Sequence, residues 1–455
     1  MLRTARLRTR LSGVAPVAIG LGLLGLSAYA VLGLAGHALP DRQYAAVASL
    51  YLLTAIVGPG IFVAVEQETS REISSRIAAG RGTLPVVRCA GLVSTVLAVL
   101  VIGVLIALSP LLVDRVFDGS WALLAAALCA VAGAAAVYLL RGLFAGARRY
   151  GWYAGTLGAE GLARLVPCVA LAVAGIGTAV GYGFAFALGT AVAAAATVAG
   201  VRLGAAGPPA GLTRMARGVA LLAGASALTL LVANIAPVVL TARLTDDPRT
   251  AASFVSLFVL ARIPLFLFAP LQAFLLPSLT AAVERGDAGR ARDHIRTAIV
   301  VVGGVGLLGA AGAAVAGPWA ARVLFDAPAE LPALLAGLLG LSTLLMMLVQ
   351  VLQPALVALG AHRSATTAWV LGTVVFGGLL FAPANPLEAA VVAQLAGPAV
   401  VLTVMALQLR TGLAGLSGRP PVGIGQRDAD HSPTVSSSAT AGAAESPGPG
   451  RPPRA

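Results

Sequence analysis

The sequence predicts an all-α polytopic membrane protein, with about twelve transmembrane helices in two six-helix lobes related by a parallel pseudo-two-fold repeat. Three observations predict it. First, the chain is 58% hydrophobic and 11% charged, with mean hydropathy +0.91. An ordinary soluble domain carries about 25% charged residues, and a soluble fold this poor in charge could not cover its surface. Second, the apolar residues gather into runs of about 20, the length that crosses the hydrocarbon core. Third, short motifs recur between the halves. Gly146-Ala147-Arg148-Arg149 is echoed by Gly360-Ala361-His362-Arg363, and the same separation places Arg71 on Arg285 and Arg76 on Arg290. At a slightly different separation, Arg115-Val116-Phe117-Asp118 matches Arg322-Val323-Leu324-Phe325-Asp326. An even number of spans per half brings both halves in from the same side, so the axis lies along the membrane normal. Two such lobes can rock about a central cavity.

The N-terminal lobe occupies 1–202, with spans at 14–36, 43–65, 84–109, 121–140, 153–175 and 181–201. The first follows Arg3, Arg6, Arg8 and Arg10, and Ala28-Tyr29-Ala30 resembles a cleavage site. Its apolar run exceeds a signal-peptide core and further spans follow, so it reads as an uncleaved transmembrane helix. The second span contains Gly58-Pro59-Gly60 and the fifth Pro167. Residues 203–216 form a cytoplasmic inter-lobe linker. The C-terminal lobe, 217–410, has spans at 217–240, 251–276, 295–318, 332–355, 365–381 and 388–409. Pro237, Pro264, Pro270, Pro354 and Pro398 fall within them, tolerated because neighbouring helices re-satisfy the freed backbone groups. Residues 411–455, rich in Ser, Thr, Pro, Gly and Ala, cannot bury a core and read as a disordered cytoplasmic tail.

Orientation follows from arginine, since the chain has no lysine. With the N-terminus inside, the cytoplasmic segments carry Arg3, Arg6, Arg8 and Arg10, then Arg71, Arg76, Arg81 and Arg88, then Arg141, Arg148 and Arg149. They continue with Arg202, Arg214 and Arg217, then Arg285, Arg290, Arg292 and Arg296, then Arg363, nineteen in all. The opposite side has five: Arg42, Arg115, Arg243, Arg249 and Arg322. That bias sets both termini in the cytoplasm, in a multi-pass protein of the plasma membrane. Reporter fusions after Arg202 and after Arg410 should both give a cytoplasmic signal; a periplasmic signal at either would overturn this topology.

The net charge of +13 is thus a topology signal, and dispersed arginines without interleaved aromatics argue against nucleic acid. Trp121, Trp152, Trp319 and Trp369 lie near helix ends, where interfacial anchoring explains them. Cys89, Cys129 and Cys168 show neither metal spacing nor evident pairing, and His37, His294, His362 and His431 are scattered. No cofactor or metal is expected. The outer loops are too short for a catalytic domain, and Asp41, Asp114, Asp118, Asp246, Asp247, Asp326 and Glu330 read as solvated turn and cap residues. An enzyme is therefore not expected.

Charge inside the spans is rare and informative. Arg164 falls near the middle of the fifth span and Arg262 near the middle of the eighth. Glu160 precedes Arg164 by one helical turn, the favourable order for a pair. One reading is a structural salt bridge; the other is an anion site in a central cavity. Arg262 has no acid in its own span, which leaves buried pairing to carbonyls, a distant carboxylate, or a substrate anion. Asn234, Gln272, Gln350, Gln353 and Gln394 could hold sugar hydroxyls or tie helices together.

Leu140-Arg141-Gly142-Leu143-Phe144-Ala145-Gly146-Ala147-Arg148-Arg149-Tyr150, followed by Gly158-Ala159-Glu160-Gly161-Leu162-Ala163-Arg164, resembles the fourth-to-fifth helix region of polysaccharide flippases. So does Ala261-Arg262-Ile263-Pro264, running to Leu276-Pro277 and Glu284-Arg285-Gly286-Asp287. These flippases belong to the multidrug/oligosaccharidyl-lipid/polysaccharide exporter superfamily. The resemblance implies a flippase that carries a polyprenyl-pyrophosphate-linked oligosaccharide across the plasma membrane by alternating access. Its partners would be that lipid-linked oligosaccharide, the membrane lipids, and a polysaccharide polymerase and glycosyltransferases. Arg164 and Arg262 would hold the pyrophosphate, with Glu160, Asn234, Gln272 and Gln350 completing the cavity. The first span lacks Arg, unlike the lipid II subgroup. The alternatives are a cation-coupled drug exporter of the same superfamily, a major-facilitator-type transporter, or a non-transporting scaffold. Spans 14–36 and 217–240 contain no Asp or Glu, which counts against the drug exporter.

Overall fold

The computed structural model describes residues 2–202, 204–265, 288–358 and 362–417. Every long element among them is a helix. The N-terminal lobe comprises α1 (Leu2–Ala38), α2 (Asp41–Val57), α3 (Val63–Ala78), α4 (Leu84–Ala107), α5 (Trp121–Gly146), α6 (Tyr150–Val173), α7 (Ala179–Ala187) and α8 (Gly189–Thr197). The C-terminal lobe comprises α9 (Leu212–Arg243), α10 (Pro248–Ala261), α11 (Ala288–Phe325), α12 (Ala333–Ala358), α13 (His362–Leu380) and α14 (Pro386–Ser417). Ten described helices are long and apolar enough to cross a membrane, and Ser364–Leu380 is a shorter apolar helix. The eighth predicted span is described only in its first part, as α10; Gln272 and the loop 284–287 lie outside the described residues. The last helix runs to Ser417, past the predicted boundary at 410.

Local chemistry explains the breaks. The second span is one 38-residue element, Asp41–Ala78, interrupted by a π-turn at Gly58–Phe62. Pro59 lacks an N–H and cannot continue the α-ladder, so the turn widens there. Ser120, Thr178 and Asp247 cap α5, α7 and α10, accepting from the amides of Leu123, Gly181 and Thr250.

The matched Arg-Val-…-Phe-Asp motifs end the third helix of each lobe in the same way. Asp118 (φ 51°) and Asp326 (φ 50°) both adopt the left-handed conformation. The next amide then reaches back six residues: Gly119 N to Val113 O at 2.9 Å, and Ala327 N to Ala321 O at 3.3 Å. This is a wider relative of the Schellman cap, and Asp tolerates its left-handed position better than most residues. Phe117 and Phe325, one residue earlier, are both buried.

One apolar core runs through both lobes, with a smaller cluster around Ile73, Val86, Phe144 and Met215. Peripheral α4 and α11 turn Val99, Leu100, Leu308 and Val315 outward, the pattern of lipid-facing helices. Trp121 and Trp319 are exposed, as interfacial anchors require. Trp369 departs from that expectation. It is 1% exposed, and its indole N–H donates to Gln353 Oε1 at 3.0 Å, tying α13 to α12. A buried indole needs such a partner, and the glutamine supplies it.

Candidate functional site

Apart from Glu68 and Arg76 on α3, the buried charge among the described residues lies in two centres, one per lobe. In the N-terminal lobe, α6 carries Thr156, Glu160 and Arg164 on one face, and neighbouring α5 delivers Arg141. Glu160 is shared between the arginines. Its Oε2 lies 2.5 Å from Arg141 Nη2 and its Oε1 2.5 Å from Arg164 Nη2. Arg141 Nε donates to Thr156 Oγ1 at 3.0 Å. The Arg141 guanidinium covers Tyr138 at 5.0 Å, and that of Arg164 covers Phe186 at 4.2 Å. Glu66 completes the group, accepting from the Tyr153 hydroxyl at 2.8 Å. Its helix comes close because position 142 is glycine; a Cβ there would sit 2.8 Å from the Glu66 carbonyl oxygen. Two acids and two arginines make the cluster neutral. Arg164 Nε has no hydrogen-bond partner among the described residues.

The Glu160–Arg164 pair therefore stands at its expected spacing. Arg141 corrects the sequence reading, which placed it among the cytoplasmic arginines. Its side chain is only 3% exposed, because α5 continues past residue 140 to Gly146. Its partner is distant in sequence, so nothing local to Arg141 announces the pairing. Glu66 and Tyr153 were also missed.

In the C-terminal lobe, Arg262 caps α10 and is 6% exposed. Its Nη2 donates to the Ala233 carbonyl at 3.0 Å and to Gln394 Oε1 at 2.9 Å. The Ala233 carbonyl is available because Pro237, four residues on, has no N–H to offer it. Gln394 in turn donates to the Val232 carbonyl at 3.0 Å. The guanidinium lies over Phe258 at 4.6 Å, and its Nη1 has no hydrogen-bond partner among the described residues. So among the described residues Arg262 donates to neutral groups in the protein interior, and Gln394 acts as a tie between three helices. Asn234 is half-buried and donates to the Leu230 carbonyl of its own helix at 3.0 Å. Gln350 is half-buried on α12 and already partnered. Arg164 and Arg262 belong to different lobes, and each is bonded within its own lobe: Arg164 to Glu160, Arg262 to Ala233 and Gln394.

The lobes meet along α9, which packs on α2 and α3 with Gly218 against Glu68, and again at the ends that the arginine distribution assigns outside. Tyr44 and Ser256 share a 2.9 Å hydrogen bond, and Ser49 donates to Thr241 at 3.4 Å. Gly33 and Gly36 of α1 lie on the Leu324 and Phe325 carbonyls at the end of α11. Reciprocally, α9 packs on Leu112–Val116 at the end of the third span. The first helix of each lobe thus rests on the end of the third helix of the other.

No protein-family model matches the chain. The uncharacterized protein Rv1510 of Mycobacterium tuberculosis (strain ATCC 25618 / H37Rv) is 31% identical over 404 residues, covering 86% of this chain and 90% of that protein. The uncharacterized protein Mb3654 of Mycobacterium bovis is 30% identical over 400 residues, covering 85% and 89%. The chain belongs to the family of these mycobacterial proteins. Among solved structures, it is similar to an inward-facing multidrug resistance MATE family transporter of the MOP superfamily. The TM-score is 0.69 at 16% identity, over 87% of this chain and 95% of that one. A Vibrio cholerae MATE transporter gives 0.59, over 91% and 99%. The mycobacterial family therefore has, in this member, the two-lobe MATE fold of a multi-pass membrane protein.

Proposed function

We propose that the protein is a membrane transporter that works by alternating access between its two lobes. The observation that carries this reading is the MATE fold, matched over nearly the whole chain, with both third helices capped alike. Small-molecule export is the substrate reading that the multidrug neighbours favour. Coupling then needs an acid that can trade its proton. Glu160 is held by two arginines, whereas Glu66 accepts from a neutral tyrosine hydroxyl and is the better candidate. This supplies, from the second span, the carboxylate that the first and seventh spans lack.

Movement of a polyprenyl-pyrophosphate-linked oligosaccharide is the second reading. It is favoured by Arg262, whose buried Nη1 has no hydrogen-bond partner among the described residues, while Nη2 bonds to the protein. Proteoliposomes separate the two. Export predicts that a cationic dye moves opposite to protons running down an imposed pH gradient and that Glu66→Gln abolishes the coupling. Flipping predicts that a short polyprenyl-pyrophosphate sugar changes leaflet without a gradient. It also predicts that Arg262→Lys, which keeps the charge and loses the planar fork, slows flipping by about tenfold or more with normal folding. If neither substrate moves faster than in protein-free vesicles, the transporter reading fails.

A further inference from the structure

A buried arginine grips the segment joining the lobes. Arg76 sits in the last turn of α3 and is 7% exposed, although its place in a cytoplasmic segment predicts solvation. Its Nη1 donates to the Pro208 carbonyl at 2.7 Å and to the Gly82 carbonyl at 3.2 Å. Its Nη2 donates to the Pro209 carbonyl at 3.2 Å, and Glu72 steadies Nε at 3.4 Å. Two consecutive prolines offer carbonyls and no N–H, so this stretch cannot bond to itself in a ladder. A guanidinium is the side chain that presents several donors in one rigid plane to such carbonyls.

Further contacts fasten the same segment. The Leu84 amide donates to the Ala205 carbonyl at 3.3 Å. Gly82 lies so close to the Ala205 and Ala206 carbonyls, and Gly204 to Thr83, that neither position has room for a Cβ. Ala210 and Met215 pack into the smaller apolar cluster with Ile73, Val86 and Phe144 of the N-terminal lobe.

We infer that Arg76 is a latch that makes residues 204–210 a rigid part of the N-terminal lobe. The linker is then a strut and not a hinge. The start of α9 continues on the same lobe, with Met215 in its apolar cluster and Gly218 close against the Glu68 carboxylate. This device concerns lobe connection alone and does not depend on any substrate.

The test is a nitroxide at Ala206→Cys, which is exposed, in a full-length chain carrying Cys89→Ser, Cys129→Ala and Cys168→Ala. A second label at Asp114→Cys, in the opposite end of the same lobe, reports folding. With Arg76 present, the Ala206 label should show the slow motion of ordered backbone. Arg76→Ala should speed it at least about threefold, toward the nanosecond motion of free loops. Arg76→Lys should fall between, since one ammonium cannot span the Gly82, Pro208 and Pro209 carbonyls together. The Asp114 label should not change. A fast Ala206 label in the Arg76-bearing chain overturns the latch, whatever the variants do. So does an unchanged Ala206 spectrum in Arg76→Ala or, if that variant does not fold, in Arg76→Lys.

Discussion

Glu160→Gln is expected to lower the stability of the solubilised protein by about 3–5 kcal/mol, the cost of leaving buried charge without its counter-ion. Glu160 is the shared partner of Arg141 and Arg164, and all three side chains are shielded from solvent. The substitution keeps the shape of the side chain and removes its charge, so two arginines remain against one acid, Glu66. Arg164→Met costs less. It leaves Arg141 and Glu160 paired, and it removes a group whose Nε has no hydrogen-bond partner among the described residues. In the double variant, Arg141 and Glu66 are again balanced, and Tyr138 and Thr156 still contact the guanidinium. The double variant should therefore recover about half of the Glu160→Gln loss or more, a coupling of the size seen for residues in one network. Unfolding midpoints followed by monodispersity after heating give the three values. A Glu160→Gln protein as stable as the parent, or a double variant weaker than Glu160→Gln alone, would contradict the neutral-cluster account.

This cluster also shows how far the sequence could be read. Glu160 and Arg164 were legible because one helical turn separates them and the helix geometry does the rest. Arg141 was not, because its partner is on another helix and its own surroundings look like a span ending in a basic residue. The apolar Leu143 and Phe144 beyond it were the available signal that the helix had not yet ended. Trp369 was misplaced for the same reason: proximity to a helix end says nothing about a glutamine on a neighbouring helix. Arg262 was flagged correctly as a buried charge, yet its partner lay hidden in an absence. Pro237 frees the Ala233 carbonyl, and that consequence becomes visible only when α9 and α10 are packed together. The repeat was legible through its caps, since a left-handed Asp after a buried Phe is a local device written in adjacent residues.

The reciprocal seating of each first helix on the opposite third helix makes the outer seam the place where a small change has a large conformational effect. Gly36→Val is expected to force that seam apart. A Cβ at Gly36 would stand 2.8 Å from the carbonyl carbon of Phe325 and closer still to its oxygen, which is backbone at a helix end and cannot swing aside. Overpacking of this kind costs about 1–3 kcal/mol. Here the lobes can relieve it by separating, so the cost falls on the closed state. Since 1.4 kcal/mol is about tenfold in an equilibrium, the closed-to-open ratio at this end should drop by about one to two orders of magnitude. Labels at Asp41→Cys and Arg249→Cys read the seam directly, because the two side chains face each other across it at 3.9 Å and are partly exposed. Their pair is a weak surface contact, so losing it should not open the lobes by itself. The distance distribution should shift longer in Gly36→Val, less in Gly36→Ala, and remain short in the labelled parent. If Gly36→Val leaves the distribution unchanged and the protein folded, α1 does not hold the seam, and the Tyr44–Ser256 and Ser49–Thr241 bonds must close it without help from the glycines.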